Sequence, residues 1–313
     1  MQRQPLRHVS LWLDELSVGD GAFLQALDWA CRLGLPLRVV ATTAGNGLIQ
    51  RDSAHDSDLG DRERAPLLEK IKTWGIACSR RGIAMETIFW QGKTEVGIEQ
   101  FLRPGGLCVF EEERSDPLRE KLLAGSLANG KVLLLLTPPN SLPMKRVLIL
   151  YHHQNPSAFF MESAARLCQL LGVQPLILTM ASSEQEALLK QSFAEGVCSS
   201  LRLQADFDSV VAFDLRSAVD RVAAWRNCSH VFFERPRNIL TISLWQRLRG
   251  DIFTELRSLS NSLTLLALPE ALALEVPSAM RGDHPIQPRD CSHPDDTMAS
   301  SIHAGANYNR GNV

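Results

Sequence analysis

The chain has 313 residues, 45% of them hydrophobic and 22% charged, with a formal net charge of −2. That length exceeds what one core usually fills, so two domains are expected, and the near-neutral charge gives no electrostatic reason to expect nucleic acid or an anionic membrane as partner. No apolar run approaches the roughly 18 residues of a membrane span, and the N-terminal stretch to Arg7 has no signal-peptide core, which points to the cytoplasm.

Taken in order, apolar runs of strand length alternate with amphipathic runs of helix length. Residues 9–13 read as a strand and 21–33 as a helix, followed by a strand at 37–41. Residues 45–64 are polar and read as a long surface loop leading into a helix at 64–81. A strand at 85–90, a helix at 94–101 and strands at 107–110 and 132–136 complete a first set. Thr137 to Pro143 then holds three prolines in seven residues, a composition suited to a semi-rigid linker. The second set has strands at 147–151, 176–180, 209–213, 231–233 and 263–268. Its helices lie at 159–171, 183–195, 215–225 and 240–258. Short, continuous, β-branched runs separated by helices predict parallel strands buried on both faces. From about residue 277 to 313 the chain has hardly any large apolar residue and is expected to be a disordered tail.

The two sets repeat one another. Leu33-Gly34-Leu-Pro36 is echoed by Leu171-Gly172-Val-Gln-Pro175, and Leu107-Cys-Val-Phe-Glu111 by Val231-Phe-Phe-Glu234. A period of this length is a whole domain rather than a solenoid unit. The expected organisation is therefore a domain at 5–138, a linker at 139–143, a second domain at 144–272 and the tail at 277–313. The two apolar fifth strands, which both end in proline, are expected to meet antiparallel. Seven cysteines, at 31, 78, 108, 168, 198, 228 and 291, form no CxxC motif. Cys31, Cys108 and Cys168 sit in apolar runs and are expected to be buried free thiols.

The order of elements, the strand ending in Asp14, and the segments 88–101, 210–222 and 243–256 resemble the universal stress protein (UspA-like) family in tandem form. The resemblance implies an α/β fold of two Rossmann-like parallel-sheet domains, of the adenine nucleotide alpha hydrolase-like type, paired as an intrachain pseudo-dimer. It also implies ATP as the candidate ligand, with Asp14 near the adenine and ribose. Nucleotide-binding members carry Gly-x2-Gly-x9-Gly-Ser/Thr, whose glycines let backbone N–H groups approach phosphate. Only Gly125 and Ser126 remain of that pattern in the first copy, with Glu112 and Ser115 at the other glycine positions. Glu111, Glu112 and Glu113 would repel a triphosphate. In the second copy Gly250-Asp251 replaces the final pair, and Tyr151-His152-His153 replaces the acid.

Gly92-Lys93-Thr94 lacks the glycine a P-loop needs five residues earlier, so a plain turn with Thr94 as N-cap is the better reading. His152 and His153 have no companion at ligand spacing and read as a solvated turn. Arg235, Arg237, Arg247 and Arg249 could receive an anion or an acidic partner, but a solvated basic face is the simpler reading. No nucleophile elbow or zinc helix supports an enzyme, and no metal site or cofactor is expected. The function read from the sequence is a non-enzymatic role in stress response or regulation through an unidentified protein partner, with degenerate ATP sites. A homo-oligomer is compatible with it. The alternative is a sensor binding a nucleotide or anion in the first domain, through the residual Asp14, Gly125 and Ser126.

Overall fold

The computed structural model describes residues 4–13, 20–42, 57–90, 98, 101–111, 123, 132–141, 143–152, 158–211, 214–235, 256–268 and 274–275. The strands are β1 (Gln4–Pro5), β2 (His8–Leu13), β3 (Leu37–Thr42), β4 (Met85–Trp90), β5 (Gly106–Glu111), β6 (Leu133–Thr137), β7 (Val147–Tyr151), β8 (Pro175–Ala181), β9 (Asp206–Val211), β10 (His230–Glu234), β11 (Thr264–Leu268) and β12 (Leu274–Glu275). The helices are α1 (Gly21–Leu33), α2 (Ser57–Arg80), α3 (Ala158–Leu171), α4 (Glu184–Ser200) and α5 (Leu215–Trp225).

Ten strands form one sheet in the order β4-β3-β2-β5-β6-β11-β10-β7-β8-β9. Within β4-β3-β2-β5-β6 every pairing is parallel, and the same holds within β9-β8-β7-β10-β11. Each set of five therefore has the same chain order, first strand central and third strand at the outer edge. The two sets join where β6 pairs antiparallel with β11, Leu136 opposite Leu265, Leu135 opposite Leu266 and Leu134 opposite Ala267. The expected antiparallel meeting of the two fifth strands is thus present. Both are apolar on both faces, so an unpaired edge here would leave backbone N–H and C=O groups in an apolar setting, and pairing satisfies them.

The strands alternate between two cores. Odd positions such as Val9, Leu11, Val147 and Ile149 face a layer made by α1, α2, α3 and α4. Their alternate neighbours, such as Leu148, Leu150 and Leu134, with Leu265 of β11, face α5 and the residues around Phe101 and Leu259. In the first layer Phe23 of α1 stacks on Trp74 of α2 at 4.3 Å between centroids. α1 packs in turn against α3, and α3 against α4.

Several local features follow from single residues. Gly34 closes α1 in the left-handed region at φ 62°, with its N–H turned to the carbonyls of Ala30 and Cys31. Gly21, at the start of α1, lies so close to the linker that a Cβ would stand 2.1 Å from the Pro139 carbonyl oxygen. Ser141 Oγ donates to the Gly21 carbonyl at 3.0 Å, so the prolines are a packed buttress for this helix as well as a connector. Asp214 caps α5, its carboxylate accepting from Ser217 N at 3.3 Å.

The expectations differ from the structure in several places. α2 begins at Ser57, inside the stretch read as loop, because Asp58 and Asp61 at its opening suit a helix N-terminus better than the polar composition suggested. β9 begins at Asp206 rather than 209, since this edge strand carries acids that an apolar-run search passes over. β1 and β12, a two-stranded parallel pair, were not anticipated. Cys31 is disulfide-bonded rather than a free thiol, whereas Cys78, Cys108, Cys168, Cys198 and Cys228 are free and buried. The expected tail at 277–313, most of the 240–258 helix and most of the 94–101 helix lie outside the described residues.

Polar ties across the junction run from α1 into the second set. Arg32 donates from Nη1 to the Leu171 carbonyl at 3.0 Å and from Nη2 to the Met144 carbonyl at 3.4 Å. His230, fully buried at the head of β10, stands 3.1 Å from Gln25 Oε1 through Nε2 and 2.9 Å from Ser229 Oγ through Nδ1. A neutral imidazole satisfies both, donating to Gln25 and accepting from Ser229. Burial, aided by Arg32, lowers its pKa to about 3.

Two predictions arise here. Leu134→Asp or Leu265→Asp puts a charge at a fully buried position of the β6–β11 seam. Either should lower urea-measured stability by roughly 4 kcal/mol or cause aggregation, and an unchanged midpoint would contradict the role given to the seam. The second concerns acid. His230 titrates near 6.5 when unfolded and near 3 when folded, so the unfolded chain binds the extra proton and stability falls as pH drops below 6.5. The slope from this group is on the order of 1.4 kcal/mol per pH unit. Urea titrations between pH 6.5 and 4.5 should show that contribution vanish in the double variant Gln25→Leu/His230→Leu.

Candidate functional site

Ligands of open parallel sheets bind at the carboxyl ends of strands, where the chain order reverses. Here the reversals lie between β2 and β5 and between β7 and β10. Because the two sets run antiparallel, the two crevices open on opposite margins of the sheet. The pairings make their lining residues comparable. Leu107 pairs with Val9 and Leu133, His230 pairs with Val147 and Thr264, and four positions further along stand Glu111 and Glu234. Each reversal point therefore carries a glutamate at the end of the fourth strand, on the face toward α1–α4.

The second crevice is built in detail. Tyr151 ends β7 with its ring buried and stacked on Phe193 of α4, 6.2 Å between centroids and 8° between planes. Burial first, and the Glu234 charge second, push its phenol pKa well up, so it stays a neutral hydroxyl. Its cross-strand partner Thr179 is fully buried beside it.

Lys190 closes the same margin. Its Nζ donates to the Met180 carbonyl at 2.9 Å and to the His152 carbonyl at 3.3 Å, and pairs with Glu186 Oε1 at 2.7 Å. An ammonium has three donors, and all three are used. Glu186 is held in turn by the α4 cap, where Oε2 accepts from Ser182 N at 2.8 Å and Ser182 Oγ at 2.6 Å. Ser183 Oγ accepts from Glu186 N at 3.3 Å, a near relative of the capping box. The hydrogen bond from Lys190, then those from Ser182, hold the Glu186 carboxyl down at about 2. The strand-end carbonyls of β7 and β8 are thus occupied by a side chain of the protein itself.

Of the residues singled out from the sequence, Asp14, Gly125 and Ser126 lie outside the described residues, as do Glu112, Gly92–Thr94, His153, Arg237, Arg247 and Arg249. His152 is exposed, and its carbonyl accepts from Lys190 Nζ. Arg235 is not on a solvated basic face. It follows Phe233 in the alternation, turns to the α5 side of the sheet and is 5% exposed, and burial lowers its pKa to about 10. Beside Tyr151, which the sequence placed at the end of the first strand of the second set, this margin is held by Lys190, which it did not single out. The one legible signal was Lys190 standing four residues after Glu186 as the sole cation of an acidic helix. Among the described residues no group of three or more His, Cys, Asp or Glu is placed to hold a metal, and no helix is long and apolar enough to cross a membrane.

Ten strands in two equivalent sets, each reversing after its first strand, match solved structures over most of the chain. A universal stress protein from Archaeoglobus fulgidus DSM 4304 superposes with a TM-score of 0.59 at 15% identity, covering 83% of this chain and 98% of that one. The fold is that of the universal stress proteins. A putative universal stress protein from Pseudomonas aeruginosa UCBPP-PA14 matches with a TM-score of 0.51 at 12% identity, over 84% of this chain and 93% of that one. The cytoplasmic domain of a prokaryotic cation chloride cotransporter matches with 0.50 at 11% identity, over 85% and 96%. The universal stress fold thus occurs in proteins of different kinds, and it does not by itself assign an activity. No protein-family model matches the sequence, and no curated protein matches it.

Replacing Lys190 by Met tests its part in the second crevice. The Met180 and His152 carbonyls lose their charged donor, which should lower stability at pH 7 by about 2 kcal/mol. Glu186, with a folded pKa below its unfolded value, stabilises above about pH 4.5 and loses that contribution as pH falls toward 2. Melting curves at pH 7 and pH 3 should therefore converge more for the variant than for the parent. Equal acid sensitivity of the two would contradict the linkage.

Proposed function

We propose that this chain is a non-enzymatic protein of the universal stress fold, acting in stress response or regulation by binding another protein, with nucleotide sites no longer built for a triphosphate. The observation that carries this reading is the pair of equivalent glutamates, Glu111 and Glu234, at the two reversal points. A carboxylate at such a point is of like charge to a phosphate and disfavours it. In the second crevice Lys190 also spends its donors on Met180, His152 and Glu186, so it is not available to a phosphate. The glycine pattern that would bring backbone N–H groups to phosphate is reduced in the sequence to Gly125-Ser126 in the first copy.

Isothermal titration with Mg-ATP tests the reading. The expected result is no saturable heat at micromolar nucleotide, and no ATP hydrolysis above the buffer rate. A micromolar dissociation constant would overturn the loss of the sites and favour a nucleotide sensor.

A further inference from the structure

Four buried polar side-chain atoms without a hydrogen-bond partner among the described residues gather on one face of two neighbouring strands. They are His8 Nε2, Ser10 Oγ and Trp12 Nε1 on β2, and Arg38 Nη1 on β3. Alternation puts residues 8, 10 and 12 on one side of the sheet, and Ser10 pairs with Arg38, so Arg38 belongs to that side too. It is the α5 side, the core that holds Trp12 and Cys108. Ser10 is fully buried, His8 is 8% exposed, and the Arg38 side chain is 14% exposed. Buried polar atoms are ordinarily paired, and leaving one unpaired is costly.

The second set shows that the fold does not require polarity here. With Val147 matched to Val9, the equivalent of the Ser10–Arg38 pair is Leu148 opposite Leu176, both fully buried. A hydroxyl and a guanidinium thus stand in one copy where the other has two leucines. Arg38 donates from Nε to Glu86 Oε2 at 2.9 Å, while its Nη1 has no acceptor. Ser10 Oγ can donate as well, and His8 Nε2 donates as the Nε2–H tautomer. The imidazole is fitted closely, since a Cβ at Gly106 would stand 2.8 Å from Nε2. The surrounding field is positive. Burial first, then Arg38, Arg103 and Arg7, lower the His8 pKa to about 4, with Glu86 opposing them. Arg7 and Arg103 are exposed and precede β2 and β5, at the amino margin of the first set and opposite its reversal crevice.

We propose that His8, Ser10 and Arg38 bind a small tetrahedral oxyanion, free inorganic phosphate or sulfate, at the amino margin of the first set. Two residues along a strand are about 6.8 Å apart and neighbouring strands about 4.8 Å apart. One oxyanion spans that spacing with charge-assisted hydrogen bonds of about 2.8 Å on each side. The surplus of arginine over glutamate favours an anion over a water as the acceptor. Because Ser10 is fully buried and His8 nearly so, the site suits a free oxyanion better than a phosphoryl group carried on a larger molecule. The proposal is independent of the loss of the nucleotide sites, which concerns the carboxyl ends of the strands.

Isothermal titration of the full chain with sodium phosphate near neutral pH, against sodium chloride of equal ionic strength, tests this. Phosphate should bind saturably, with a dissociation constant of about 1 mM or tighter, and raise the melting temperature, whereas chloride should do neither. Ser10→Leu/Arg38→Leu, which copies Leu148 and Leu176 of the second set, should fold and lose both effects. Ser10→Ala removes one donor with little change of volume and should raise the phosphate dissociation constant by about threefold to tenfold. That single variant decides the matter if the double variant does not fold. No saturable binding of phosphate by the parent overturns the proposal and leaves the stripe to internal water. Binding that is unchanged in Ser10→Ala, or in a folded Ser10→Leu/Arg38→Leu variant, overturns it too. So does competition by adenosine monophosphate, which would assign the anion to a larger ligand.

Discussion

The antiparallel pairing of β6 with β11 is the contact on which the rest of the molecule depends. Each strand is a Leu-rich run buried on both faces, and each would be an apolar edge of a five-stranded sheet if left alone. Joining them makes one sheet and sets the two halves head to tail. Three consequences follow without further assumption. α1 and α3 come side by side on one face, where Arg32 and Gln25 reach Leu171, Met144 and His230. The two reversal points open on opposite margins. The outer helices α2 and α4 are carried to the far ends of a common layer.

That junction is not symmetric in chemistry. His230, with Ser229 and Gln25 as partners, is a satisfied buried polar group, which costs little while paired and much if one partner is lost. In the first set the corresponding strand position is the apolar Leu107. The polar ties described across the junction therefore come from one side, through α1. A buried, directional contact of this kind favours pairing of unlike halves over pairing of like ones. That use of buried polarity is the best attested for such groups.

At the carboxyl margin of the second set, side chains of α4 cap the ends of two strands. Tyr151 stacks on Phe193, Lys190 caps the carbonyls at the ends of β7 and β8, and Glu186 pairs with that cation. Each is held by a neighbour on α4, so one helix governs the whole margin. Glu111 and Glu234 stand at equivalent positions of the two crevices.

The sequence alone determined the ten strands of the main sheet and the five described helices, because a strand buried on both faces must be written as an unbroken apolar run such as Leu133–Thr137 or Val147–Tyr151. It also determined the repeat, since equivalent turns need equivalent residues, as Gly34 and Gly172 show with their positive φ. Edge strand β9 was misplaced because an edge is written in acids, and Asp206 and Asp208 pair with Arg146 and Arg226. Only the tertiary structure decided that Arg235 is buried, that Cys31 is bonded and that Lys190 caps two strand ends. Each depends on which residues from distant segments arrive at the same place, and no local pattern records that. The equivalence of Glu111 and Glu234 lies between these extremes. Their motifs were legible as a repeat, but that both stand at a chain reversal is a property of strand order in the sheet.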